Sequence, residues 1–142
     1  MYTGFLHLHS GLAYLVLAIL VVVFLYVLIN FLNKKPFTET VRKSALVGLI
    51  AAHIQLLVGL VLYFISPNGL SNFSGEAMGD SMARLLMLEH PLMMILGIAL
   101  ITIGYSKSKK ATEDTASYKK VLIFYGLGLL FVLSRIPWST WF

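Results

Sequence analysis

The 142-residue chain contains no cysteine, which excludes disulfides, cysteine-ligated iron–sulfur clusters and thiolate metal sites. Charge is also scarce: Asp, Glu, Lys and Arg make up 12% of the residues, where a soluble domain carries roughly 25%. Acids are the scarcer sign, six against eleven Lys and Arg, leaving a net charge of +5. Such an excess can mark nucleic-acid binding. Here, however, nine of the eleven basic residues fall in two short connections, which is the pattern of membrane topology. No nucleophile–base pair, phosphate loop or hydrolase motif occurs, so no substrate turnover is expected. What the chain has in abundance is apolar surface, 58% hydrophobic residues and a mean hydropathy of +0.86. That composition describes an integral membrane protein, one domain over residues 1–142, in contact with a lipid bilayer and not with nucleic acid.

Four apolar runs predict helices over about 5–32, 44–66, 85–105 and 121–142. In the first, residues 12–29 are apolar on all faces and long enough to span, and Asn33-Lys34-Lys35-Pro36 ends the run. No Lys or Arg precedes it and no small-residue cleavage site follows, so it reads as a retained helix rather than a signal peptide. The second closes on the turn tripeptide Pro67-Asn68-Gly69. The connection after it has three glycines and the acids Glu76 and Asp80 but no Lys or Arg until Arg84, and Ser74 is placed to cap a short lead-in helix there. The first and third connections are basic. The positive-inside rule makes their side cytoplasmic, with both termini on the outer, periplasmic side of a bacterial inner membrane. Tyr2, Phe5, Trp138, Trp141 and Phe142 then form an aromatic belt at the outer face. The expected fold is an all-α, up-down-up-down transmembrane four-helix bundle.

The run LLMLEHPLMMILGIALITIGY draws attention because Glu89-His90-Pro91 interrupts it. Ionisable groups inside a span cost free energy and are functional candidates by default. Counting from the basic edge at 1.5 Å per residue puts His53 at ~13 Å, Arg135 at ~21 Å, His90 at ~22 Å and His9 at ~34 Å. Arg84 sits at the outer rim. These polar residues come from all four helices and gather in the outer half or near the midplane. A haem suits such a set: its iron takes two neutral imidazoles, its ring an apolar slot, and its propionates cations such as Arg84 and Arg135. Gly97 would let a flat ring approach the backbone. His53 and His90 are the first choice of axial pair despite a ~9 Å offset; His9 with His90 is the alternate, at ~12 Å.

Plainer readings stand beside these. His7 and His9 are two residues apart, point to nearly opposite helix faces and lie where histidine is common. Arg135 pairs equally well with Glu89 in a structural ion pair. The methionines around His90 serve as core filler, and Gln55 makes an interhelical hydrogen bond.

The stretches HLHSGLAY, HIQLLVGLVLYFISP, LEHPLMMILGIALITIG and SRIPW, in that order and over most of the chain, resemble small four-helix bacterial membrane proteins described as cytochrome b-like. The His-x-His near the start is more weakly similar to copper-resistance-D-like and SirB-like membrane families. The resemblance implies a b-type haem between helices, with His9, His53 and His90 as the ligand pool. The expected function is electron transfer in or beside a respiratory chain, with quinol or a cytochrome as partner. A bis-histidine haem has no open coordination position, which argues against oxygen chemistry. Two other functions remain open: a cofactor-free accessory or assembly subunit of a respiratory or transport complex, and a histidine-based copper or zinc site using His9, His53, His90 and Glu89. A homo-oligomer is also left open.

Overall fold

The computed structural model describes residues 1–141, all helix and connection with no strand; Phe142, assigned above to the aromatic belt, lies outside the described residues. Among the described residues four helices are long and apolar enough to cross a membrane: α1 (Tyr2–Leu32), α2 (Glu39–Ile65), α4 (Ser81–Lys110) and α5 (Asp114–Ser134). The chain is accordingly a multi-pass membrane protein. Two short helices join or follow them, α3 (Gly75–Gly79) and α6 (Trp138–Trp141).

Local chemistry sets the helix ends, and it moves several of them from the expected places. α2 begins five residues before 44, because the Thr38 hydroxyl accepts the Val41 N–H at 3.4 Å and Glu39 pairs with Arg42 one turn on. Ser74 caps α3 as its spacing predicts, accepting the Ala77 N–H at 3.1 Å, whereas Asp80 caps α4 at Ala83, 2.7 Å away. α4 continues past Tyr105 to Lys110, its last turn carrying Lys107, Lys109 and Lys110 where cations complement the helix dipole. α5 starts at Asp114 rather than near 121 and stops at Ser134. Pro137 disfavours helical backbone at Ile136, so Trp138 and Trp141 lie in the separate α6. In the turn after α2, a Cβ on Gly69 would lie 2.1 Å from the Tyr63 carbonyl oxygen, so no other residue fits there.

Each spanning helix packs on its neighbours in the cyclic order α1, α2, α4, α5, with α5 closing back on α1. Buried positions recur three and four residues apart: Val16, Leu20, Val23 and Val27 on α1, and Val41, Ala45, Gly48 and Ala52 on α2. That spacing gives near-parallel helices with interlocking side chains. The tightest seam joins α4 to α5. A Cβ on Gly97 would come within 2.9 Å of the Gly128 carbonyl oxygen, and one on Gly104 within 2.4 Å of Phe124 Cβ. Gly97 therefore admits the backbone of the next helix rather than a cofactor ring. Without water to drive association, such close backbone approach is what holds helices together in lipid. In the basic half, the buried Tyr125 on α5 crosses the bundle to donate its hydroxyl to the Ala45 carbonyl on α2.

Candidate functional site

At the end of the bundle away from the basic connections, the Glu89-His90-Pro91 segment distorts α4. Residues Leu85–Glu89 form a π-turn in which the His90 N–H reaches back five residues to the Leu85 carbonyl. Single wide turns of this kind concentrate at functional sites. Pro91 brings no N–H to the carbonyl four residues before it, that of Met87. Tyr63 on α2 supplies the missing donor, its hydroxyl lying 2.9 Å from the Met87 oxygen.

The distortion delivers His90 to the bundle interior. Its Nδ1 lies 2.8 Å from the Arg135 carbonyl at the end of α5. A carbonyl only accepts, so Nδ1 carries the proton and Nε2 presents a lone pair. Across the bundle diagonal stands His9 of α1. The two imidazole centres are 6.1 Å apart and the rings are perpendicular, at 89°. Two features of α2 fix His9. Gln55 Nε2 lies 3.2 Å from His9 Nδ1 and donates to the His9 carbonyl at 2.9 Å. One turn on, Gly59 leaves room for the ring: a Cβ there would meet His9 Cε1 at 2.9 Å.

Beside this pair Glu89 binds two cations. Its carboxylate lies 2.8 Å from Arg84 Nε and 3.2 Å from Arg135 Nε, and Arg84 also donates to the Met78 carbonyl at 2.8 Å. Two guanidinium groups on one carboxylate leave this three-residue group with one positive charge in excess. The ion pair between Glu89 and Arg135 weighed from the sequence is present, with Arg84 added to it. So is the interhelical bond of Gln55.

Four of the five sequence-selected residues, His9, His90, Arg84 and Arg135, thus meet in one cluster. His53 is not among them. It lies on the exposed side of α2 with Nδ1 2.8 Å from the Leu49 carbonyl of its own helix. Gln55, two positions on, faces α1 instead, because residues two apart on a helix diverge by about 200°. His7 is exposed.

The estimated depths separated residues that the fold brings together, because the helix ends used for counting were too short. With α4 running to Lys110 and α5 starting at Asp114, the same arithmetic puts His90 at ~30 Å and Arg135 at ~31 Å, near His9 at ~34 Å. Gln55, Gly59 and Tyr63 were not singled out as site residues. Their signal was there to read, since spacings of four put all three on one face of α2. Among the described residues no group of three or more His, Asp or Glu side chains is assembled to hold a metal ion. Comparison with known proteins adds no relative: no family model, no curated protein and no solved structure matches the chain.

Proposed function

We propose that this chain is a membrane-embedded b-type haem protein in which His9 and His90 are the axial pair. The observation that carries the reading is their separation. Two imidazoles sharing one metal axis have ring centres about 6.3 Å apart, from metal–nitrogen bonds of about 2.0 Å and a further 1.15 Å or so to each ring centre. The observed 6.1 Å matches that spacing. The donor chemistry fits as well: His90 holds its proton on Nδ1 and keeps Nε2 for a ligand. A bare zinc site needs about four protein ligands, whereas a porphyrin supplies four nitrogens itself and asks two of the protein. A pair of imidazoles beside which, among the described residues, no third donor group is assembled therefore favours haem over an isolated metal ion. Arg84 and Arg135 provide the cations its carboxylates would meet.

Bound there, haem would supply one-electron redox chemistry. The chain's own residues would hold it, exclude water and set its electrostatics. The positive-inside rule puts the basic connections in the cytoplasm of a bacterial inner membrane and the histidine pair toward the periplasm, where a quinol or a cytochrome would be the partner. The second reading, a cofactor-free accessory subunit, draws on one observation: Glu89 already pairs with both arginines, so part of the cluster is satisfied without a ligand.

The test is the visible spectrum of the detergent-purified chain expressed with ample haem. A Soret band that shifts on dithionite reduction, lost in His9→Ala and in His90→Ala and kept in His53→Ala, is the expected result. A flat spectrum overturns the haem reading and leaves the accessory one. Loss in His53→Ala with retention in His9→Ala would restore the pair first chosen from the sequence.

A further inference from the structure

The site contains one polar atom that its own geometry leaves unexplained. Gln55 Oε1 is shielded from solvent and has no hydrogen-bond partner. A buried amide oxygen without a partner is destabilising, because its desolvation is not compensated. The other end of the same amide meets His9 twice, Nε2 lying 3.2 Å from Nδ1 and 2.9 Å from the carbonyl oxygen. With Nε2 as the neighbour of Nδ1, His9 accepts at Nδ1 and carries its proton on Nε2. That tautomer cannot offer Nε2 to a metal. If Oε1 faced Nδ1 instead, Nδ1 would carry the proton and Nε2 its lone pair, matching the state that the Arg135 carbonyl imposes on His90.

We infer that Gln55 is the positioning residue that selects the ligating tautomer of His9, its amide turning over so that the orphaned Oε1 accepts the Nδ1–H when Nε2 binds iron. This rests on the His9–His90 reading. No proton is gained or lost: one moves from Nε2 to Nδ1 of the same ring, and the bond from Gln55 to the His9 carbonyl is exchanged for one to the ring. The idle amide oxygen then has a partner, while the amide swings off the His9 carbonyl, since Oε1 in the place of Nε2 would set two acceptors 2.9 Å apart. The two imidazoles are then held in the same way, each by an oxygen acceptor at Nδ1. Such outer partners typically change metal affinity 10–100-fold.

The experiment titrates haem b into the full-length apoprotein in detergent and measures the midpoint potential of the loaded protein, for the natural sequence, Gln55→Leu and Gln55→Glu. Gln55→Leu removes the acceptor and should weaken haem binding 10–100-fold. Gln55→Glu keeps an acceptor and adds charge. It should restore binding and favour the ferric form by about tenfold, a potential lower by about 59 mV. A side chain that merely filled space would not order the potentials in this way. Leucine and glutamate variants that bind haem with unaltered affinity and potential overturn the inference and leave the histidine pair standing. Loss of haem in both variants, with their helical content and melting intact, also overturns it. Failure of the natural sequence to take up haem overturns the reading beneath it as well.

Discussion

Gly59 shows how much one hydrogen atom in place of a methyl group decides. Its Cα lies against the imidazole of His9, and an added Cβ would sit 2.9 Å from Cε1. Gly59→Ala should tilt or expel the ring while leaving the helices in place. On the proposed function, the expected outcome is a helical, folded protein with haem uptake reduced at least tenfold, read by circular dichroism and haem titration. Glu89 acts at the same scale through charge. Half-exposed ion pairs contribute up to about 1 kcal/mol each, and one carboxylate serves two of them here. Glu89→Gln should therefore destabilise the bundle by about 1–2 kcal/mol in a denaturation titration, with less effect at high salt.

At the scale of elements, the π-turn of α4 and the glycine seam between α4 and α5 solve different problems. The π-turn with Pro91 carries His90 inward and leaves a carbonyl that Tyr63 must satisfy. Tyr63→Phe should cost about 0.6 kcal/mol, the average for interhelical hydrogen bonds in membranes, and, on the proposed function, broaden the spectrum of bound haem by loosening His90. The seam has no polar role. It brings the third and fourth spans into close backbone contact. Gly104→Ala places a methyl 2.4 Å from Phe124 Cβ and 3.0 Å from the Lys120 carbonyl oxygen. An overpacked core of this kind loses about 1–3 kcal/mol, so this variant should melt earlier even though residue 104 is far from the histidines.

For the whole molecule, charge and fold divide the bundle into two ends. One end carries nine of the eleven basic residues and closes through backbone-directed bonds, Tyr118 to the Pro36 carbonyl at 3.1 Å and Ser117 to the Ser108 carbonyl at 3.1 Å. The other end holds the histidine pair. There α6 folds back on α1, with Trp141 stacked on Tyr14 at 4.2 Å between ring centres. Single cysteines introduced at Lys35 and at Glu76 should label from opposite sides of the membrane in intact cells, the second with an impermeant reagent and the first only after permeabilisation. The reverse pattern would move the histidine pair to the cytoplasmic side.

Composition and hydropathy alone determined that this chain spans a membrane four times, because burying twenty or so backbone units in lipid leaves a sequence few other choices than long apolar helices. The number and places of the connections, though not their lengths, were legible for the same local reason, as were the cap at Ser74 and the turn at Pro67-Asn68-Gly69. The residues of the cluster were legible as a set, since His9, His90, Arg84 and Arg135 are conspicuous in an apolar chain. Their partners were not. A helix extended by a few residues at one end shifts every height counted along it, and a face is chosen by rotation, which hydropathy that is high all round does not report. Tertiary structure alone therefore turned His53 outward and set Gln55 against His9. It also gave Gly97 to a neighbouring helix instead of a ring, because those outcomes depend on which helices touch and how closely.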